Sequence, residues 1–204
     1  PQSIRQFYDV LGFLFGHLTS VDLLSAVNAN SLNEILKLCG AQAGDQVLEL
    51  GFGSGLMAQA LLDKAGVQQY DGIELSEAMV NLTSYRMSDS ARGRMLLLHS
   101  DDPLTLLLSS QALHSYSRAY ALSVLDALGA AEIEQALSGL HVRLRPGGLL
   151  CVSTLVDLPD HITTRLYKTL WRVVPLLLGG RRPLSFRRFV SEELWVVKDA
   201  WLDT

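Results

Sequence analysis

A glutamate placed two residues ahead of alternating glycines is the arrangement in this chain that most plainly does chemistry. It stands in Val47-Leu48-Glu49-Leu50-Gly51-Phe52-Gly53-Ser54-Gly55-Leu56. Gly51 and Gly53 lack a Cβ and tolerate positive φ, so the backbone there can approach a ligand closely. A helix from Met57 to Lys64 would aim its free N–H groups back at that ligand. Glu49 beside the turn disfavours a pyrophosphate and suits a cationic group. The dinucleotide fingerprint Gly-x-Gly-x-x-Gly is missed, because Gly55 falls one position early. A nicotinamide dehydrogenase is therefore the poorer alternative.

More polar groups stand where apolar runs end. Glu74 closes Tyr70-Asp71-Gly72-Ile73-Glu74, where a carboxylate can accept hydrogen bonds from a ribose diol. Leu75 and Met79 follow it and can flank a base ring. Asp101 and Asp102 close Leu96-Leu97-Leu98-His99-Ser100. Leu122 and Ser123 lie within Arg118-Ala119-Tyr120-Ala121-Leu122-Ser123-Val124-Leu125.

The elements that must position these groups follow from periodicity. Phe7, Val10, Leu11, Leu14, Phe15 and Leu18 recur at helical spacing. Asn30 or Ser31 can cap a second helix through Leu38. Strands are expected at Gln46–Leu50, Tyr70–Glu74, Met95–His99, Ala119–Val124 and Leu149–Leu155. Between them come helices at 57–64, at Glu77–Met87 with Ser76 as cap, and at Ala130–Leu144, stopped by Pro146-Gly147-Gly148. A last helix is expected from Glu192 to Leu202. Apolar strands alternating with helices mean a parallel sheet covered on both faces, with right-handed crossovers. Ligands of such sheets bind beyond the carboxyl ends of the strands.

The 204 residues are 49% hydrophobic and 19% charged, enough for one domain with a real core. A net charge of −4 argues against a general nucleic-acid binder, and no nucleic-acid partner is expected. Cys39 and Cys151 sit in apolar segments and read as buried free thiols of a reducing compartment. No zinc spacing occurs, so no metal is expected. No apolar run reaches transmembrane length, and no leader sequence is expected at the start. The expected location is cytoplasmic.

The acidic-x-Gly-x-Gly-x-Gly motif, the acid of the second strand, the acids after the third and the Leu144-Arg145-Pro146-Gly147-Gly148-Leu149-Leu150 turn occur in order over about residues 40–155. Together they resemble class I S-adenosylmethionine-dependent methyltransferases of the small-molecule, quinone-biosynthesis-like kind (EC 2.1.1.-). The resemblance implies an α/β fold, a doubly wound, Rossmann-like, mostly parallel sheet in the order 3-2-1-4-5. It implies S-adenosyl-L-methionine as cofactor, held by Glu49, Gly51, Gly53, Gly55, Glu74, Leu75, Met79, Asp101 or Asp102, Leu122 and Ser123. Asp101 would accept from the adenine amino group, with Asp102 as alternate, and Leu122 and Ser123 would line the sulfonium. Phe7-Tyr8-Asp9 resembles a lid helix, with Tyr8 near the cofactor's carboxylate end. The expected divisions are a lid over 1–39, a cofactor-binding core over 40–155 and a cap over 156–204. The family's sixth and seventh strands are missing, which suggests truncation or a covering partner, since an uncovered fifth strand is an edge liability.

Methyl transfer from a sulfonium needs the acceptor held close and dry, and a base only if the acceptor must lose a proton. Five histidines are present; His17 and His161 are the candidates. No Asn-Pro-Pro-Tyr-like signature of nucleic-acid amino methylation follows the fourth strand. Residues 161–190 carry Arg165, Lys168, Arg172, Arg181, Arg182, Arg187 and Arg188 among apolar residues and no acid. That suits a lipophilic or anionic small-molecule acceptor, or peripheral membrane contact; the plainer alternative is a substrate cap with solvated arginines. A catalytically silent methyltransferase-like subunit is the rival from another class.

Overall fold

A computed structural model describes residues 32–109, 115–157, 162–173 and 181–198. A helix over 32–39 (α1) precedes β1 (Gln46–Leu50). Then come α2 (Leu56–Gln59), which continues as a π-helical stretch at Ala60–Ala65, and β2 (Gln69–Glu74). Two helices, α3 (Glu77–Arg86) and α4 (Asp89–Arg92), lead to β3 (Met95–His99). Next are α5 (Pro103–Ser109), β4 (Tyr116–Leu122), α6 (Ala130–Arg143), β5 (Leu144–Ser153) and α7 (Ile162–Val173).

The strands form one five-stranded sheet in the order β3-β2-β1-β4-β5, all parallel. The doubly wound arrangement expected from the alternation of apolar strands and helices is what the chain adopts. Alternate residues of each strand feed opposite cores. Leu48, Leu50, Ala119 and Ala121 face α5 and α6, with Leu107, Ile133, Ala136 and Leu140 completing that side. Val47, Tyr70 and Tyr120 face the other, with Met57, Leu61, Leu62, Met87 and Cys39. A parallel sheet buried on both faces has this composition because every side chain meets a helix.

Local sequence explains the joints. Ser76 caps α3 by accepting from the Met79 amide, 3.3 Å, as its position predicts. Glu132 accepts from the Gly129 amide at 2.6 Å and starts α6. The Pro146-Gly147-Gly148 turn does not precede β5 but bulges from it. Tyr116 pairs with Leu144 and Arg118 with Leu149, so the residues between are squeezed outward, with Gly147 at φ 77°.

The C-terminal part departs from expectation. Residues 191–194 form a turn and 195–198 have no regular structure, so the helix expected from Glu192 is not formed over its described part. Trp195 instead packs edge-on against His141, 5.2 Å between rings, on the α6 side of the core. Among the described residues no sixth strand forms. The continuation of β5 gains only a parallel bridge between Val156 and Leu184, supported by Leu184 N to Leu155 O (2.7 Å) and Asp157 N to Leu184 O (3.1 Å).

Candidate cofactor and acceptor site

The carboxyl ends of β1, β2, β3 and β4 gather the described candidate residues on one rim. After β1 the backbone turns through three left-handed glycines: Gly51 (φ 72°), Gly53 (φ 54°) and Gly55 (φ 77°). Their missing side chains serve different ends. A Cβ on Gly51 would stand 2.8 Å from Val124, and one on Gly55 would run into Thr83. A Cβ on Gly53 would meet nothing within 4 Å. Gly53 therefore borders open space, while Gly51 and Gly55 let Val124, just beyond β4, and α3 pack against the turn.

The turn is tied to its neighbours. Gly51 N donates to Ile73 O at 2.7 Å, and the Thr83 hydroxyl donates to Gly53 O at 3.0 Å. Glu74 provides the third tie. Its Oε2 accepts from Gly53 N (2.9 Å), and its Oε1 accepts from Leu75 N (2.8 Å) and Ser76 N (3.0 Å). The carboxylate expected to meet a ribose thus also joins the loops after β1 and β2. Burial pushes its pKa up, against those three amides.

Glu49 is 2% exposed and accepts from the Tyr70 hydroxyl at 2.7 Å. Burial, with Glu74 nearby, raises its pKa to about 8 although the Tyr70 bond opposes the shift. Among the described residues neither carboxylate is in an ion pair. Two buried acids without a cation, beside an open position at Gly53, fit a ligand that brings positive charge.

Leu75 is half-buried and Met79 buried beside the second loop. After β3 the two acids separate. Asp102 caps α5, accepting from Thr105 N (3.0 Å) and the Thr105 hydroxyl (2.7 Å). Asp101 is 73% exposed, with its carboxylate 3.9 Å from His99 Nε2, which itself lies 3.1 Å from Leu75 O. Asp102 is engaged in holding its helix, which leaves Asp101 as the acid turned outward at the rim. Beyond β4, Leu122 and Ser123 are half-buried. Ser123 has φ 57°, the one non-glycine among the described residues in the left-handed region, and its amide donates to Ser153 O at 2.8 Å. Such strain in a non-glycine residue concentrates at functional sites. Tyr8, His17 and His161 lie outside the described residues.

Sequence reasoning did not single out the carboxylate around which the β4–β5 end of the rim is built. Asp126 is fully buried in the short 3-10 turn Leu125–Ala127. Its Oδ2 takes Arg181 Nη2 at 2.9 Å and Leu155 N at 3.0 Å, and its Oδ1 takes Arg181 Nε at 3.1 Å. Arg182 N donates to Asp126 O (2.9 Å), and Arg182 Nη2 donates to Leu128 O (2.8 Å). Tyr167 on α7 donates to Arg181 O at 3.1 Å. Lys168 pairs with Asp157 at 2.6 Å. Arg181 and Arg182 therefore hold the segment in place, while Lys168, 41% exposed, makes a surface pair with Asp157. The only signal in the sequence was an aspartate in an otherwise apolar stretch after β4.

A five-stranded parallel sheet in this order, with an acid-flanked glycine turn after its first strand, defines the Rossmann-like core of a class I methyltransferase. The family model described as methyltransferase domain matches residues 48–150, half of the chain, and the chain belongs to that family. The family's methyl donor is S-adenosylmethionine, and the paired buried acids and the open position at Gly53 fit it. The chain is 30% identical over 105 residues to ribosomal RNA small subunit methyltransferase A of Leifsonia xyli, covering 50% of this chain and 36% of that protein. It shares its fold with the putative methyltransferase in a Haloferax volcanii complex with the Trm112 activator (TM-score 0.62, 19% identity, 83% of this chain and 66% of that one). A second structural likeness is to Haemonchus contortus phosphoethanolamine N-methyltransferase 2, solved with phosphomonomethylethanolamine and S-adenosylhomocysteine (TM-score 0.59, 17% identity, 81% of this chain and 35% of that one). The chain thus spans about a third of the ribosomal RNA methyltransferase it matches.

Proposed function

We propose that this chain binds S-adenosylmethionine at the rim described above and transfers its methyl group to a small, lipophilic acceptor. The observation that carries the reading is the tie from Glu74 to Gly53 N, 2.9 Å, across an otherwise open position. Glu49 faces the ammonium of the methionine part, and Glu74 the ribose. Leu75 and Met79 flank the adenine, and Asp101, rather than Asp102, accepts from its amino group. Leu122 and Ser123 border the reacting methyl. When bound, the cofactor supplies an electrophilic methyl. The chain's own contribution is to orient the two partners and exclude water. His17 and His161 remain the candidate bases if the acceptor loses a proton.

The acceptor side is lined by the segment that Arg181 anchors to Asp126. Outside it, Leu166 and Val173 on α7 are 71% and 74% exposed, and Arg172, Arg187 and Arg188 are also exposed. Exposed apolar groups beside cations support a lipophilic acceptor drawn from, or delivered at, an anionic lipid surface by a cytoplasmic protein. No helix among the described residues is long and apolar enough to cross a membrane.

Mass spectrometry of the purified protein for retained S-adenosylmethionine or its demethylated product tests the cofactor. A screen of phenols, quinols and lipid head groups with labelled donor then tests the acceptor. No retained nucleoside and no calorimetric binding would remove the reading. Flotation that fails equally on anionic and neutral vesicles would remove the lipid surface alone.

A further inference from the structure

Gly53 sits at the centre of the glycine turn and is bonded on both of its sides. The turn Phe52–Gly55 is closed by Gly55 N, which donates to Phe52 O at 3.1 Å. That bond does not fix the central peptide, made of the Gly53 carbonyl and the Ser54 N–H. Turns of one hand differ mainly in which way this peptide points. A glycine at φ 54° accepts either setting. A group outside the turn must therefore choose between them.

Thr83 on α3 makes the choice. Its hydroxyl donates to Gly53 O at 3.0 Å. The side chain is fully buried, and a hydroxyl has one proton to give. A helical threonine commonly gives it to a carbonyl of its own helix. This one gives it to the loop after β1, 30 residues away in sequence. The peptide is planar and trans, so a carbonyl aimed at α3 turns the Ser54 N–H away from α3. Among the described residues that amide has no acceptor, and Ser54 is half-buried. Gly53 N is already committed to Glu74.

We propose that Thr83 is a positioning residue for the cofactor: by fixing the central peptide of the turn it presents the Ser54 N–H, and not the Gly53 carbonyl, to the nucleoside. The hydroxyl acts through the backbone and does not touch the ligand. A flipped peptide would add a carbonyl to a rim that already holds the buried carboxylates Glu49 and Glu74, and would remove a donor. The setting exists before the ligand arrives, so binding does not have to order the turn. The Thr83 methyl has a separate duty. It lies so close to Gly55 that no Cβ fits there, which is packing and leaves the peptide's direction untouched.

This inference rests on the reading of the rim as an S-adenosylmethionine site, and the wild-type chain separates the two. The test is calorimetric titration of the full chain with S-adenosylhomocysteine, beside thermal melts of the same samples. Thr83→Val keeps the shape and a similar helix propensity but lacks the hydroxyl. It should keep a cooperative melt and bind about five- to tenfold more weakly. Thr83→Ser keeps the hydroxyl and lacks the methyl. It should melt lower, from the void beside Gly55, yet bind within about twofold of the wild type. Thr83→Ala should bind as weakly as Thr83→Val. A side chain that only packs would make affinity follow stability instead. A wild-type chain that does not bind removes the site reading and this inference together. With wild-type binding intact, Thr83→Val binding as tightly as the wild type overturns this inference alone. So does equal affinity in Thr83→Ser and Thr83→Ala, a comparison that decides even if Thr83→Val does not fold.

Discussion

The two halves of the rim are held together by different means. On the side of β1 to β3, contacts join adjacent loops and are made mainly by backbone: Glu74 gathers three amides, two of them from the residues that follow it. On the side of β4 and β5, the anchor is a buried carboxylate joined to an arginine 55 residues away. The first half is a preformed cradle. The second is a strap, held by the buried Asp126–Arg181 ion pair together with bonds from Arg182 and Leu184. A rigid motif suits a cofactor common to a family, and on the proposed function the strap is where an acceptor would be met.

Substitutions that attack one half and spare the other sharpen this contrast. The largest effect is expected for Gly55→Val. The new side chain meets Thr83 in a residue at φ 77°, and overpacking with backbone strain should cost about 4 kcal/mol in urea unfolding. Gly53→Val, strained at φ 54° but with open space around its Cβ, should be destabilised less, keep a cooperative melt and lose cofactor binding by calorimetry. If both variants are equally unstable, the division of labour among the glycines is wrong.

Next is the strap. Asp126→Ala leaves Arg181 without its carboxylate and should cost about 3 kcal/mol. Hydrogen exchange over 181–190 should accelerate while cofactor affinity changes less than about twofold, about 0.4 kcal/mol. Equal loss of cofactor affinity would show that the halves are not separable.

Glu74→Ala should weaken cofactor binding by about 2 kcal/mol, because a buried acceptor is removed and the Gly53, Leu75 and Ser76 amides lose their partner. Unchanged calorimetric affinity would reject its place in the site.

The mildest test is a pH titration. Glu49 has a folded pKa near 8, raised from an ordinary 4.5. The folded chain therefore holds a proton that the unfolded chain has released between those values. Stability without cofactor should be fullest below 4.5 as far as this group is concerned, and fall as pH rises toward 8. The slope should be at most about 1.4 kcal/mol per pH unit. Glu49→Gln should flatten that slope. Affinity for a cationic ligand should run the other way, rising toward pH 8 as the carboxylate ionises.

Legibility in the sequence followed the same divide. Strand β1 was bounded from local pattern alone, as was β3, and the Ser76 cap and the covering of both sheet faces were read correctly. Each is decided by residues within a few positions of one another. The glycine turn was found, but not the distinct duties of Gly51, Gly53 and Gly55, since those depend on Val124 and Thr83 from other elements. Asp101 and Asp102 could not be told apart until Thr105 showed which of them caps α5. The Asp126–Arg181 pair was invisible for the same reason: neither residue carries a local pattern, and only tertiary packing brings them together. The helix expected from Glu192 rested on spacing, yet Trp195 gains more by packing against His141 and the core than a helix there would provide.

A carboxylate offers about four lone-pair positions to donors. At Glu74 three are already filled by main-chain amides. A sugar arriving there finds a single vacancy, on the oxygen that serves Gly53. One hydroxyl of its pair can be greeted at full strength, and the other must look elsewhere or displace an amide. Deoxy analogues of the nucleoside should consequently divide sharply, one nearly indistinguishable from the parent and its positional isomer much poorer.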